Sequence, residues 1–238
     1  MISFIVPAYN EEQCLAATLT ALLQTGHALK EPFEVIVAND GSTDQTAAIA
    51  EHHGARVVNV SHRQIAATRN SGAHVANGDL FIFVDADTVV NTNVVRAAVA
   101  AMRGGAVGGG AGIQFDDPAP LFARILLRVV ICVFRVMGLA TGCFLFCTRD
   151  SFLVVGGFDE NYFGAEEIVM SRALKRQGKF VVLKQTVITS ARKLRTYSAY
   201  ETVMFMTRMA LRGTKALTQR KGLEFWYAER RSDKREKK

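Results

Sequence analysis

Apolar positions in the first ninety residues fall into short continuous runs, separated by longer stretches with helical spacing. Ser3-Phe4-Ile5-Val6 is such a run, ended by Pro7. Residues 33–38, 56–60 and 80–84 supply three more strand candidates, and Leu80-Phe81-Ile82-Phe83-Val84 is apolar at every position. Between them, residues 11–24, 43–52 and 63–76 read as helices. Asn10 is the expected N-cap of the first, with Gln13 three places on, and Ser42 with Gln45 makes a capping-box pattern ahead of the second. Fully apolar strands alternating with helices predict a parallel sheet covered on both faces. The βαβαβαβ order predicts an open α/β fold.

The second half is less regular. Residues 104–112 are glycine-rich, but the G-x-G-x-x-G offsets are missing, so a dinucleotide-binding reading loses its main support; no P-loop signature occurs either. Residues 121–140 read as an apolar helix, 142–148 as a strand, and Gly156-Gly157-Phe158-Asp159 as a turn. A helix over 166–177, a strand near 180–183, a helix at about 198–212 and a charged tail from Glu229 complete the pattern. No repeat or flexible linker interrupts it, so one domain is the simplest count.

Composition narrows the class. With 238 residues, 49% hydrophobic and 21% charged, the chain is neither disordered, collagen-like nor a small disulfide scaffold. Cys14, Cys132, Cys143 and Cys147 form no CxxC pair and no zinc-like cluster with histidine, which predicts free thiols and a reducing compartment. The opening run is strand-like rather than a leader, so the expected location is cytoplasmic. The net charge of +7 is unevenly placed: residues 191–238 hold 14 Lys and Arg against 5 Asp and Glu, the remainder 15 against 17. A basic C-terminal region attracts phosphates.

In open α/β sheets, ligands bind beyond the C-terminal ends of the strands. Pro7-Ala8-Tyr9-Asn10-Glu11-Glu12 follows the first strand, Asn39-Asp40-Gly41-Ser42 the second and Asp85-Ala86-Asp87 the fourth. Asp85 and Asp87 are two apart, so in extended backbone their carboxylates project to one side. Such a pair repels itself unless a hard cation such as Mg2+ or Mn2+ joins it, often sharing a substrate phosphate. The plain alternative is a solvated turn. Asp40 is either turn chemistry or an acceptor for a base or ribose. Tyr9 either stacks on a base or packs on the sheet; Arg69 either pairs with a diphosphate or is a helix-surface charge.

Together these pieces resemble the family-two glycosyltransferases of the GT-A fold. The resemblance rests on Phe4 to Glu12, Glu34 to Asp44, Ala67-Thr68-Arg69-Asn70-Ser71-Gly72, Gly78 to Asp87, Gly156-Gly157-Phe158-Asp159-Glu160, and Glu166-Glu167 with Arg172. It covers about residues 2–180. Thr189-Ser190-Ala191-Arg192 is also similar to a small bacterial subgroup. The resemblance implies a mostly parallel open sheet flanked by helices, in one domain over 1–222. A nucleotide-binding part would cover about 1–115, an acceptor part about 116–222, and a basic tail 223–238. It implies that Pro7, Ala8, Tyr9, Glu11, Asp40, Arg69, Asp85, Ala86 and Asp87 bind a UDP- or GDP-sugar. Asp87 and Asp85 would hold Mn2+ or Mg2+, and the glycine turn would shape the sugar and acceptor pocket.

Near the acceptor the family carries Glu-Asp, whose Asp is the base. Here Glu166-Glu167 stands there, which departs by one methylene and places Glu167 at the base position. Two glutamates at a helix start are equally good capping chemistry. As a base, Glu167 would take a proton from an acceptor hydroxyl while the metal offsets charge on the departing diphosphate, inverting the sugar in one displacement. Acceptors in reach of this reading are a glycan, a lipid or a small molecule. Two rival readings are a polyprenyl-phosphate acceptor, which needs no base, and a non-catalytic nucleotide-sugar-binding module.

Arg124, Arg128 and Arg135 fall within about 40° on one face of the apolar helix at roughly 100° per residue. Arg208, Arg212 and Lys215 repeat the arrangement beside Met204, Met206 and Met209. These segments read either as a peripheral contact with an anionic membrane surface, at its inner face, or as core or homodimer helices. The uncharged stretch 136–148 is too short to span a bilayer. No nucleic-acid recognition motif is present.

Overall fold

The computed structural model describes residues 1–116, 129, 131–192 and 218. Eight strands form one sheet: β1 Ile2–Ala8, β2 Phe33–Asp40, β3 Arg56–Val60, β4 Leu80–Val84, β5 Thr88–Val89, β6 Gly108–Phe115, β7 Phe144–Thr148 and β8 Phe180–Thr189. Their order is β3-β2-β1-β4-β7-β6-β8-β5. The β3-β2-β1-β4 half is parallel throughout, as the apolar runs predict. Beyond it the sheet is mixed. β7 runs antiparallel to β4 and β6, β8 parallel to β6, and β5 antiparallel to β8. Because β7 lies between β4 and β6, the two halves of the chain share one sheet.

The flanking helices are α1 Leu15–Leu29, α2 Thr46–His52, α3 Ile65–His74, α4 Thr92–Arg103, α5 Arg149–Val155 and α6 Glu166–Gln177. Strand alternation sorts the core into two layers. Ile2, Phe4, Val6, Ile82 and Val84 face α1 and α4, where Leu15, Leu19, Leu22, Val95 and Val99 complete the packing. Ile5, Ile36, Phe81 and Phe83 face the other way, onto Phe152, Phe158, Met170 and Leu174. The Phe83 ring meets Phe158 edge-on at 4.9 Å and stacks on Phe152 at 5.7 Å, which locks α5 and the glycine turn to the sheet.

Several boundaries differ from the sequence expectation, each for a physical reason. α1 starts at Leu15 rather than 11, and Asn10 does not cap it. Asn10 takes a left-handed φ of 51° and its side chain accepts from Thr43 N–H. α2 starts at Thr46, and the capping box does not form. Ser42 Oγ accepts from Asn10 N–H instead, while Asp44 accepts from Thr46 N–H. The two loops cap each other across the sheet edge, a long-range solution that local patterns do not encode. The glycine-rich residues 104–112 supply most of β6, and β8 extends to Thr189. α4 is capped locally: Asn91 accepts from Val94 N–H at its start in standard capping geometry.

Of the apolar segment 121–140, residues 131–137 are helical. Its Arg135 donates to the Leu183 and Lys184 carbonyls, and so packs on β8. Arg124, Arg128, Arg208, Arg212, Lys215 and the charged tail lie outside the described residues. Among the described residues, no helix is long and apolar enough to cross a membrane.

Candidate active site

Pro7 and Ala8 end β1 and are buried, while Tyr9 and Glu11 lie in the loop that follows. The Arg63 guanidinium stacks 3.6 Å above the Tyr9 ring, covering one of its faces. Asp40, at the end of β2, is buried and fully used. Oδ1 accepts from His62 and Arg63 N–H at 2.6 and 2.8 Å, and Oδ2 accepts from Gln64 N–H at 3.1 Å and the Thr68 hydroxyl at 2.8 Å. Asp40 thus caps α3 across 22 to 28 residues. Glu11 is paired with Arg192 at 2.8 Å.

Asp85 and Asp87 follow β4 at the expected sheet edge. Asp85 N–H donates to the Cys143 carbonyl, and the Asp87 carbonyl accepts from Ser190 N–H. Between them Ala86 is buried, its carbonyl held by the Thr18 hydroxyl of α1. The loop is therefore pinned to β7, β8 and α1.

For Arg69 the structure removes the plainer of the two sequence alternatives. It is not a helix-surface charge: α3 turns it inward, and at 1% exposure it is the largest fully buried side chain described. Nη1 pairs with Glu166, while Nη2 donates to Asp85 Oδ1 and to the Gly142 carbonyl, each at 2.8 Å. Nε has no partner among the described residues. Burial by itself would lower the Arg69 pKa. Asp85, Glu166 and Glu167 more than reverse that, so the guanidinium stays charged.

Glu166 and Glu167 open α6, whose N-cap Ala165 has no side-chain cap bond. The helix N-terminus therefore favours their negative charge. They divide the work. Glu166 is buried on Arg69; Glu167 is half-buried beside Gly142, where a Cβ built on the glycine would sit 3.4 Å from the Glu167 carboxyl carbon. Burial, the neighbouring Glu166 charge and Asp85 push Glu167 up to about 8, against the pull of Arg69. The fold thus gathers Arg69, Asp85, Glu166 and Glu167 into one cluster from α3, the β4 edge and α6. Tyr9, Glu11 and Asp40 follow β1 and β2 at the same sheet edge.

For a cation, the fit is that of half a site. No group of three His, Cys, Asp or Glu side chains among the described residues is arranged to hold a metal. Asp85 and Asp87 offer oxygen donors alone, which suit Mg2+ or Mn2+ when other ligands come from phosphate and water. Sequence reasoning gave no role to Arg192, which binds Glu11, nor to Arg63 on Tyr9. The only signal for Arg192 was the short Thr189-Ser190-Ala191-Arg192 likeness.

The sheet, the acidic loop after β4 and the cluster at α6 define a GT-A glycosyltransferase fold. The family model for glycosyl transferase family 2 matches residues 3–135, and the chain belongs to that family. It is 33% identical over 111 residues to validoxylamine A glucosyltransferase of Streptomyces hygroscopicus subsp. jinggangensis, covering 44% of this chain and 26% of that one. It is 36% identical over 98 residues to the undecaprenyl-phosphate 4-deoxy-4-formamido-L-arabinose transferase of Serratia proteamaculans, covering 36% and 28%. The chain thus spans about a quarter of the length of these relatives. In structure it is similar to the mannosyltransferase PcManGT of Pyrobaculum calidifontis in complex with GDP-Man and Mn2+. There the TM-score is 0.70 at 18% identity, covering 88% of this chain and 61% of that one. It is also similar to glucosyl-3-phosphoglycerate synthase of Mycobacterium tuberculosis in complex with Mn2+, UDP and glucosyl-3-phosphoglycerate. That match has a TM-score of 0.62 at 18% identity and covers 98% and 81%.

Proposed function

We propose that the chain moves a sugar from a nucleotide-diphospho-sugar to a hydroxyl acceptor, inverting the anomeric carbon, with Glu167 as general base. The observation that carries the reading is the division of labour at α6. Glu166 balances the buried Arg69, which leaves Glu167 beside Gly142 with a pKa raised to about 8. A base works best when its pKa lies near the working pH. The proton passes from the acceptor hydroxyl to a Glu167 oxygen as the new C1–O bond forms and the C1–O bond to the diphosphate breaks. No covalent enzyme intermediate is needed.

Arg69 holds Asp85 in place, so the β4 loop enters the reaction already organised. Asp87, with Asp85, would hold Mn2+ or Mg2+, which supplies positive charge to the leaving diphosphate when bound. Tyr9, Glu11 and the β2 edge at Asp40 would receive the nucleoside. The likeness to enzymes bound to UDP and to GDP-Man supports a nucleoside diphosphate donor.

A second reading follows from the undecaprenyl-phosphate relative. A phosphate acceptor is already anionic and needs no proton removed. Glu167→Gln separates the two. With a hydroxyl acceptor, turnover falls about 10²- to 10⁴-fold while donor affinity holds; with a phosphate acceptor, turnover is nearly unchanged. A wild-type protein that binds donor yet neither transfers nor hydrolyses it would refute both.

A further inference from the structure

Arg192 is a cation that the fold delivers to the acidic edge, and nothing in the scheme above uses it. The turn that carries it is clamped at three successive residues. Ser190 N–H donates to the Asp87 carbonyl at 3.1 Å, Ala191 N–H to Asp116 Oδ1 at 2.9 Å, and Arg192 N–H to Ser190 Oγ at 3.2 Å. Ala191 is fully buried. The position of the Arg192 backbone is therefore set relative to Asp87.

From that turn the side chain, 14% exposed, crosses to the loop after β1. It donates to Glu11 Oε2 at 2.8 Å and to Cys14 Sγ at 3.7 Å. Burial alone would lower its pKa. Glu11 outweighs that, and Cys14 and Asp87 add to it, so the guanidinium is held charged. The arginine is thus bonded to Glu11 in the loop after β1 and held by its turn to the backbone of Asp87 in the loop after β4, two neighbouring strands whose ends form the edge where the nucleoside and diphosphate would lie.

We infer that Arg192 is the resident counter-cation of the donor site. Without donor, its charge rests on Glu11 and Asp87; with a metal at the acidic pair and a nucleoside diphosphate bound, its guanidinium fork turns to the diphosphate oxygens. The inference rests on the proposed donor reading of Asp85 and Asp87. A guanidinium fork matches phosphate oxygens in geometry, and a divalent ion at Asp87 repels it from that carboxylate toward the new negative charge. Arg192 therefore competes with free metal and cooperates with diphosphate. A purely structural tie to Glu11 would do neither.

These opposite signs make the test. Mn2+ alone, then UDP, GDP and inorganic pyrophosphate in saturating Mn2+, are titrated calorimetrically into wild-type protein and Arg192→Gln. The variant is expected to bind Mn2+ alone several-fold more tightly, and UDP and pyrophosphate about tenfold more weakly, the worth of a lost charge-assisted hydrogen bond. Affinities for Mn2+ and pyrophosphate that move together, or that both stay within about twofold, overturn the inference. So does a loss confined to the nucleotides, which would place Arg192 on the base or ribose. If wild-type protein binds no nucleotide at all, the donor reading falls and takes this inference with it. If wild-type binds and the variant is indifferent, only the role of Arg192 falls. Should Arg192→Gln fail to fold, Arg192→Lys carries the measurement. It keeps the charge without the fork, so Mn2+ affinity stays at the wild-type value and pyrophosphate affinity drops several-fold; unchanged pyrophosphate affinity is the contrary result.

Discussion

Arg69 Nη2 lies 2.8 Å from Asp85 Oδ1, and that one ion pair ties the interior of α3 to the acidic loop after β4. Glu166 meets the same guanidinium from α6. Removing the arginine strands a buried carboxylate beside a second, partly buried one. Arg69→Met is therefore expected to cost about 3–5 kcal/mol. At roughly 2–4 °C per kcal/mol in a chain of this size, the midpoint should fall by about 10 °C in a thermal melt. A midpoint within about 4 °C of wild type would mean that the buried pair contributes little.

Glu167 sets a pH dependence with two signs. Its carboxyl is pushed from an ordinary 4.5 up to about 8, so the folded chain retains a proton that the unfolded chain releases. Between those values, stability falls as pH rises. Turnover runs the other way, since the base must be deprotonated, and should climb with pH to a plateau above about 8. Glu167→Gln removes the first trend and should melt higher than wild type at pH 8. Melting curves across pH 5–9 for both proteins, with a pH–rate profile for wild type, measure this. A variant as pH-sensitive as wild type would assign the titration to another group.

What the sequence made legible follows from how local each signal is. β1, β2 and β4 announce themselves because buried parallel strands are apolar on both faces, and the residues after them stand at the edge where open α/β sheets bind ligands. The position of Asp85 and Asp87 was readable for that reason. The partners of Arg69 were not, since they lie 16 and 97 residues away and no spacing marks an inward-facing arginine. The start of α1 was misplaced because Asn10 bonds Thr43 rather than its own helix. α4 is a different matter: Asn91 followed by Val94, Val95, Ala98, Val99 and Met102 is a readable capped, one-faced pattern. Asp40 reads from sequence as turn chemistry or a ligand contact; that it also ties residues 62–68 to the end of β2 through four hydrogen bonds is a long-range role no local pattern marks.

Asp85 and Asp87 should separate when each is neutralised. Asp85 supports Arg69; Asp87 meets the sheet through its backbone carbonyl, which Asp87→Asn retains. Asp85→Asn is expected to lower the melting midpoint without any ligand and to weaken the response to donor. Asp87→Asn should melt closer to wild type alone, yet lose most of the added stabilisation from UDP plus Mn2+. In wild type that stabilisation should reach about 2.7 kcal/mol at a hundredfold excess over Kd and vanish with EDTA. Thermal shifts of the three proteins with UDP, with and without Mn2+, decide it. Full metal-dependent stabilisation of Asp87→Asn would contradict the metal assignment.

Gly109 carries the last prediction, and it explains why residues 104–112 showed no strand. β6 passes between β7 and β8 with three successive glycines, so no large apolar side chain signals the first half of the strand. The glycines are there for closeness. A Cβ on Gly109 would overlap the Val181 carbonyl oxygen of β8 and the Phe146 ring of β7. The ring can turn, but the carbonyl belongs to the ladder that pairs Gly109 with Val181. Gly109→Ala must therefore shift backbone, at the upper end of the usual overpacking cost of about 1–3 kcal/mol. That corresponds to a drop of roughly 6–12 °C in the melting midpoint. Gly142→Ala is the control. Its Cβ would meet the Glu167 carboxyl group first, at 3.4 Å, which is ordinary contact. It should melt within about 0.5 kcal/mol of wild type while shifting the pH–rate profile through Glu167. Equal melting losses in the two variants would show that β6 tolerates a methyl group at Gly109 no worse than the rim of the site does.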